Sequence, residues 1–150
     1  MKKSIIYVLL LGALFLFPLQ GEDVGKLLPV ELVYLHREGD VVVITTDTEA
    51  AGAGKTVNAA LDNLKATTAG IVFLDTADYL LVDENAVSDV DALKNHLKSS
   101  VRVCKSVPDV DLKEAAVYLA VHKPQMKLKE YSANVGIQQL IIENDRMELK

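Results

Sequence analysis

The spacing in the chain that most resembles a chemical motif is Gly52-Ala53-Gly54-Lys55-Thr56, followed by Ile71-Val72-Phe73-Leu74-Asp75. Together they imitate a phosphate-binding loop and the strand that ends in a magnesium-holding acid. A working loop of this kind needs Gly-x-x-x-x-Gly-Lys-Ser/Thr, because the first glycine makes the turn that lets consecutive N–H groups encircle the phosphates. Here that position is Glu49, whose carboxylate repels an anion. The stretch from Ala50 to Gly54 therefore reads as a strand-to-helix turn whose glycines take positive φ, with Thr56 as the helix N-cap. What survives is a candidate anion site at Gly54, Lys55 and Thr56, where unpaired N–H groups and the helix dipole favour negative charge.

Other reactive residue types are present without a reactive spacing. Asp75, Asp78, Asp83, Glu84, Asp89 and Asp91 cluster as calcium ligands do, but Asp83 to Ser88 lacks the alternating oxygens, the turn glycine and the closing glutamate of a calcium loop. Helix caps and a solvated face account for these acids. His36, His96 and His122 have no zinc-ligand spacing and read as surface or capping residues. Cys104 is the single cysteine; it has no internal disulfide partner and reads as a small, half-buried strand residue. There is no Gly-x-Ser-x-Gly and no local Cys–His pair, so no catalytic residue, no metal site and no cofactor is assigned.

These residues must be positioned by an alternating series of elements. Leu32 to His36 and Val41 to Thr46 form a hairpin around Arg37-Glu38-Gly39-Asp40. Val57, Ala60, Leu61 and Leu64 follow helical spacing. Gly70 to Leu74 and Tyr79 to Val82 are short buried strands, and a second helix runs from about Asn85 to Lys98, with Val90, Leu93 and Leu97 inward and Ser88-x-x-Asp91 as a capping box. Val101 to Cys104 is the next strand. Asp111 and Glu114 then open a third helix whose buried stripe is Leu112, Ala115, Ala116 and Leu119, and Pro124 ends it. Tyr118 falls off that stripe and is the candidate interface residue, since tyrosine is common where proteins meet. A short helix near Leu128 to Ala133 precedes a closing hairpin, Gln139 to Ile142 with Arg146 to Leu149. The fold class is α/β or α+β: a mixed sheet with hairpins at both ends and about three packed helices.

The first residues decide the expected compartment. Lys2 and Lys3 precede Ile5 to Phe17, a run without charge, which reads as the cationic and apolar regions of a signal peptide. Extended through Leu19 it makes about 22 Å of helix against a hydrocarbon core of about 30 Å. Residues 1–21 are thus a signal peptide cleaved near Gly21 or an N-terminal anchor, and residues 22–150 a single extracytoplasmic α/β domain. The chain carries 16 basic and 21 acidic residues; removal of Lys2 and Lys3 leaves the exported part still more acidic. With aromatics at 5% and no tryptophan, acidity excludes nucleic acid as the default partner and opposes docking on anionic lipid. Contact with the membrane falls to residues 4–19 alone.

From about Leu32 to Lys123 the order of elements resembles the N-terminal domain of the C-subunit lipoproteins of bacterial spore germinant receptors. The resemblance rests on the hairpin ending in Thr45-Thr46-Asp47, on Gly54-Lys55-Thr56-Val57-Asn58-Ala59-Ala60-Leu61-Asp62-Asn63-Leu64, on Tyr79-Leu80-Leu81-Val82-Asp83-Glu84-Asn85-Ala86-Val87 and on Val101-Arg102-Val103. That family carries a lipid-modified cysteine after its signal and further domains, and this chain shows neither. The resemblance implies a stand-alone, secreted or membrane-tethered envelope scaffold related to sporulation or germination, with an envelope or membrane protein as partner and no inherited catalytic residue. Two other readings are an extracytoplasmic small-ligand or anion binder and a small secreted enzyme with a spatially assembled site. A deep pocket with convergent polar groups favours these; an exposed apolar patch or unpaired strand edge favours the interaction domain.

Overall fold

β1 (Leu27–Pro29), β2 (Leu32–Glu38) and β3 (Val41–Thr46) open the computed structural model, which describes residues 24–133, 135–144 and 146–150. The expected leader, residues 1–21, lies outside the described residues. β2 and β3 form the expected hairpin, closed by Gly39 at φ +60 and Asp40; that left-handed φ is the reason glycine stands there. β4 (Ala51–Gly54) leads into α1 (Val57–Thr67), and β5 (Ile71–Phe73) is followed by β6 (Tyr79–Val82). A 3₁₀ segment (Glu84–Asp89), α2 (Val90–Leu93) and a second 3₁₀ turn (Lys94–His96) precede β7 (Arg102–Ser106). Then come α3 (Leu112–Val121), a 3₁₀ turn (Leu128–Glu130), β8 (Gln139–Glu143) and β9 (Arg146–Leu149).

Seven strands make one mixed sheet in the order β4-β3-β2-β6-β7-β8-β9, and β1 pairs with β5 in a separate parallel ribbon. β2, β6, β7 and β8 run parallel, while each end of the sheet is antiparallel. The mixed α/β class read from the sequence is the class observed.

Strand alternation divides the core between the two faces. Val33 and Leu35 of β2, Leu80 and Val82 of β6 and Val103 of β7 pack with Ala60, Leu61 and Leu64 of α1 and with Val90 and Leu93 of α2. Leu32, Leu81, Cys104 and Leu140 pack on the other side with Ala115, Ala116 and Leu119 of α3. β6 lies between the two layers, so all four of its residues are buried. A strand covered on both faces loses its alternation, which explains the unbroken run Tyr79-Leu80-Leu81-Val82. Among the described residues no helix is long and apolar enough to cross a membrane.

Four local expectations need correction. Ala51 to Gly54 is not a turn but a strand paired with β3, and neither Gly52 nor Gly54 takes positive φ. Their glycines serve close approach instead. A Cβ at Gly52 would lie 2.6 Å from Leu64 Cα and nearer still to Ala60 O, and one at Gly54 would lie 2.6 Å from Ala60 N. The second helix is mostly 3₁₀, with only Val90–Leu93 in α conformation, and its capping box is absent: the N-cap position is Asp89, whose side chain makes no cap. That carboxylate is instead held by Arg37 through Nε at 2.6 Å and Nη2 at 2.9 Å, a two-point pairing that pins the segment to β2. The helix expected from Leu128 to Ala133 is one 3₁₀ turn. Cys104 is fully buried rather than half-buried.

The contact of β4 with α1 gives a direct prediction. Gly52→Ala should cost about 2 kcal/mol or more, because backbone rather than a flexible side chain must move to admit the methyl. Gly136→Ala, at a glycine with nothing within 4 Å, should stay within about 0.5 kcal/mol of the parent. Denaturant unfolding of both variants decides it; a Gly52→Ala chain as stable as the parent would mean that α1 does not rest on β4.

Candidate functional site

The loop that imitates a nucleotide site is assembled as a helix cap. Thr56 is the N-cap of α1, its Oγ1 accepting from the Ala59 N–H at 3.2 Å while its carbonyl accepts from Ala60 N–H at 2.9 Å. Lys55 is exposed. The acid-bearing segment that should stand beside a phosphate loop is elsewhere: β5 pairs with β1, whereas β4 pairs with β3. Gly54, Lys55 and Thr56 therefore sit together at a helix start, without Asp75 opposite them.

The clustered acids disperse into separate structural contacts. Asp78 pairs with Lys98 at 3.1 Å, Glu84 with Lys105 at 2.7 Å, Asp89 with Arg37 and Asp91 with Lys94 at 2.6 Å. Asp83 accepts from Asn85 at 3.3 Å. Among the described residues, no three His, Cys, Asp or Glu side chains come together as a metal-holding group. The histidines are equally separated. His36 stacks on Tyr34 with centroids 4.7 Å apart, His96 Nε2 lies 3.1 Å from Asn58 Oδ1, and His122 stacks on Tyr118 at 4.4 Å.

A charged concavity of about 340 Å³ is lined by Thr45, Thr46, Asp47, Glu49, Asp111, Leu112 and Lys113. Each of its charged groups already has a structural task. Asp47 Oδ1 accepts from the N–H groups of Glu31 at 3.1 Å and Leu32 at 3.2 Å, which fixes the start of β2. Asp111 Oδ1 accepts from the N–H groups of Lys113 and Glu114 at 2.9 and 3.0 Å as the α3 N-cap. Glu49 and Lys113 pair with each other; the lysine ammonium draws the carboxyl below its ordinary value, and the carboxylate draws the lysine above its own. A neighbouring hollow of about 400 Å³ shares Glu49 as its only charged lining residue.

The surface is less committed. Val117 and Val121 on α3 are 70% and 75% exposed, the most exposed large apolar side chains among the described residues. Tyr118, the candidate interface residue, is half-buried against the lower core and flanks this strip. The sheet edges differ from one another. At β4, Ala53 N–H donates to Asn63 Oδ1 at 3.0 Å, while the Thr67 hydroxyl donates chiefly to the Asn63 carbonyl at 2.8 Å and only at 3.3 Å to that of Ala51, so α1 takes up part of that edge with its own side chains. β9 has β8 on one side only. Both terminal hairpins are legible in the sequence, whereas no local signal marks which strands lie outermost.

No protein-family model, curated protein or solved structure matches the chain.

Cys104 supplies a pH test of the lower core. Burial pushes its thiol up to about 12 from 9.0, and burial together with Asp83 and Asp109 pushes Tyr34 up to about 12 from 10.0. Both groups are neutral when protonated and both have raised values in the fold, so their stabilising contribution is complete below pH 9 and declines as pH rises toward 12. Stability followed by denaturant midpoint should fall over that window, and Cys104→Ala should flatten the fall. A Cys104→Ala variant with the parent's alkaline slope would contradict the burial of the thiol.

Proposed function

We propose that the chain is a non-catalytic interaction domain of the bacterial cell envelope, secreted or tethered outside the cytoplasmic membrane by residues 4–19. The observation that carries this reading is the contrast between the interior of the charged concavity and the edge of the sheet. Asp47, Glu49, Asp111 and Lys113 are all engaged in holding strands and helices, whereas the backbone edge of β9 and the Val117 and Val121 strip are left facing outward. Catalysis needs convergent groups free to meet a substrate; association needs exposed edge or apolar surface.

The compartment is supported by Lys2 and Lys3 ahead of the uncharged run Ile5 to Phe17, a combination that directs export with the following domain outside. Net charge −5 supports a protein partner over nucleic acid or anionic lipid. The resemblance of Leu32 to Lys123 to the germinant-receptor C-subunit domain supports an envelope role tied to sporulation or germination, and Tyr118 beside Val117 and Val121 is the place on α3 where a protein partner would bind.

Fusion reporters test the compartment. The full chain fused at its C-terminus to alkaline phosphatase should be active in a bacterial host, because that enzyme matures only outside the cytoplasm. Replacing Leu9 and Leu11 with arginine should abolish the activity, since charge in the apolar run defeats insertion. An inactive phosphatase fusion alongside a fully fluorescent cytoplasmic reporter fusion would overturn the envelope reading.

A further inference from the structure

We infer that β9 is a contact between two copies of this chain, joined antiparallel across a two-fold axis at Met147. The inference deepens the interaction-domain reading and rests on it for its biological sense. Gln139 and Lys150 exchange both of their backbone hydrogen bonds, at 2.7 and 2.9 Å. Antiparallel pairs alternate between bonded and non-bonded types, so the bonded pairs continue at Ile141 with Glu148 and Glu143 with Arg146. The backbone groups of Met147 and Leu149 consequently point away from β8, and among the described residues they meet no partner. At the other end of the sheet Asn63 takes up the outward Ala53 N–H of β4, whereas among the described residues the outward groups of β9 have no such side chain over them.

A two-fold axis requires the strand to pair antiparallel with itself, and charge selects the register. Centring the axis on Glu148 sets Met147 against Leu149, but it puts two glutamates face to face and Arg146 against Lys150, which is repulsive at every charged pair. Centring it on Leu149 sets Glu148 against Lys150, two groups already 3.4 Å apart within one chain, and so brings in no unpaired charge. Centring it on Met147 sets Arg146 against Glu148 twice. Arg146 has no ion-pair partner among the described residues, and in this register it gains one. The same register sets Met147 against its own copy, and within each chain Met147 lies opposite Ile142. Ile142 is 43% exposed in the single chain.

The test is sedimentation of the full chain in detergent over a range of concentrations, with charge variants at exposed positions that leave residues 1–23 unchanged. The parent should dimerise, Arg146→Glu should weaken the dimer by about tenfold or more, and Arg146→Glu combined with Glu148→Arg should restore it. In the bonded self-pair the two Met147 Cα atoms lie about 5.5 Å apart, within disulfide reach. Met147→Cys should therefore cross-link under mild oxidation where Arg146→Cys does not, the native Cys104 being buried. A monomeric parent, or a dimer indifferent to Arg146→Glu, would overturn the pairing. A monomeric chain that still reaches the outside of the cell would refute the pairing and leave the envelope reading standing.

Discussion

The backbone of α1 lies directly on the backbone of β4, and the rest of the architecture depends on that closeness. Gly52 and Gly54 permit it by having no Cβ. At that distance Asn63 reaches the Ala53 N–H on the edge of β4 from the helix above, so one constraint positions the first layer and covers part of one end of the sheet. Leu61 and Leu64 are carried onto the same face as Val33, Leu35 and Leu80, where the upper core forms. A longer side chain at position 52 would lift the helix, open the edge and loosen that core together.

The sheet's centre and its far end follow a different logic. β6 is buried on both faces, so the chain must supply helices to both sides, and it does so with α1 and α2 above and α3 below. The helical segment after β6 is drawn down by the Arg37 and Asp89 pair, with side chains only 28% and 14% exposed. α3 covers Leu81, Cys104 and Leu140 with small residues, Ala115 and Ala116. Val117 and Val121 then turn outward because ten residues of helix carry more apolar positions than one buried stripe takes. β8 and β9 complete the sheet, with Leu140, Met147 and Leu149 on the α3 side, and β9 is paired on one side only.

The periodic elements were legible in the sequence: the Val57 and Leu64 stripe, the unbroken apolar run of β6, the Asp111 cap and both terminal hairpins. What escaped reading was decided by tertiary contacts. Alternating alanine and glycine in β4 leaves no hydrophobic period to mark a strand, and glycine signals a turn as readily as a close approach. The 3₁₀ segment after β6 is tied at Asp89 to Arg37, more than fifty residues earlier, a contact that no local spacing announces. The β1 and β5 ribbon joins Leu27-Leu28-Pro29 to Ile71-Val72-Phe73, two short runs with no local link between them. Of the candidate site residues, Thr56 has its expected cap role and Tyr118 lies near an exposed strip, but the partly covered and open edges depend on strand order, which a single sequence does not encode locally.

The most direct test of the account is amide hydrogen exchange at the two ends of the sheet, measured on dilute and concentrated chain. The Ala53 amide should be protected at every concentration and lose that protection in Asn63→Leu, because Asn63 alone holds it. The Met147 amide should exchange rapidly in dilute solution and become protected as the chain is concentrated. A Met147 amide that exchanges equally fast at all concentrations, or an Ala53 amide indifferent to Asn63→Leu, would contradict a sheet held by α1 at one edge and extended by self-pairing at the other.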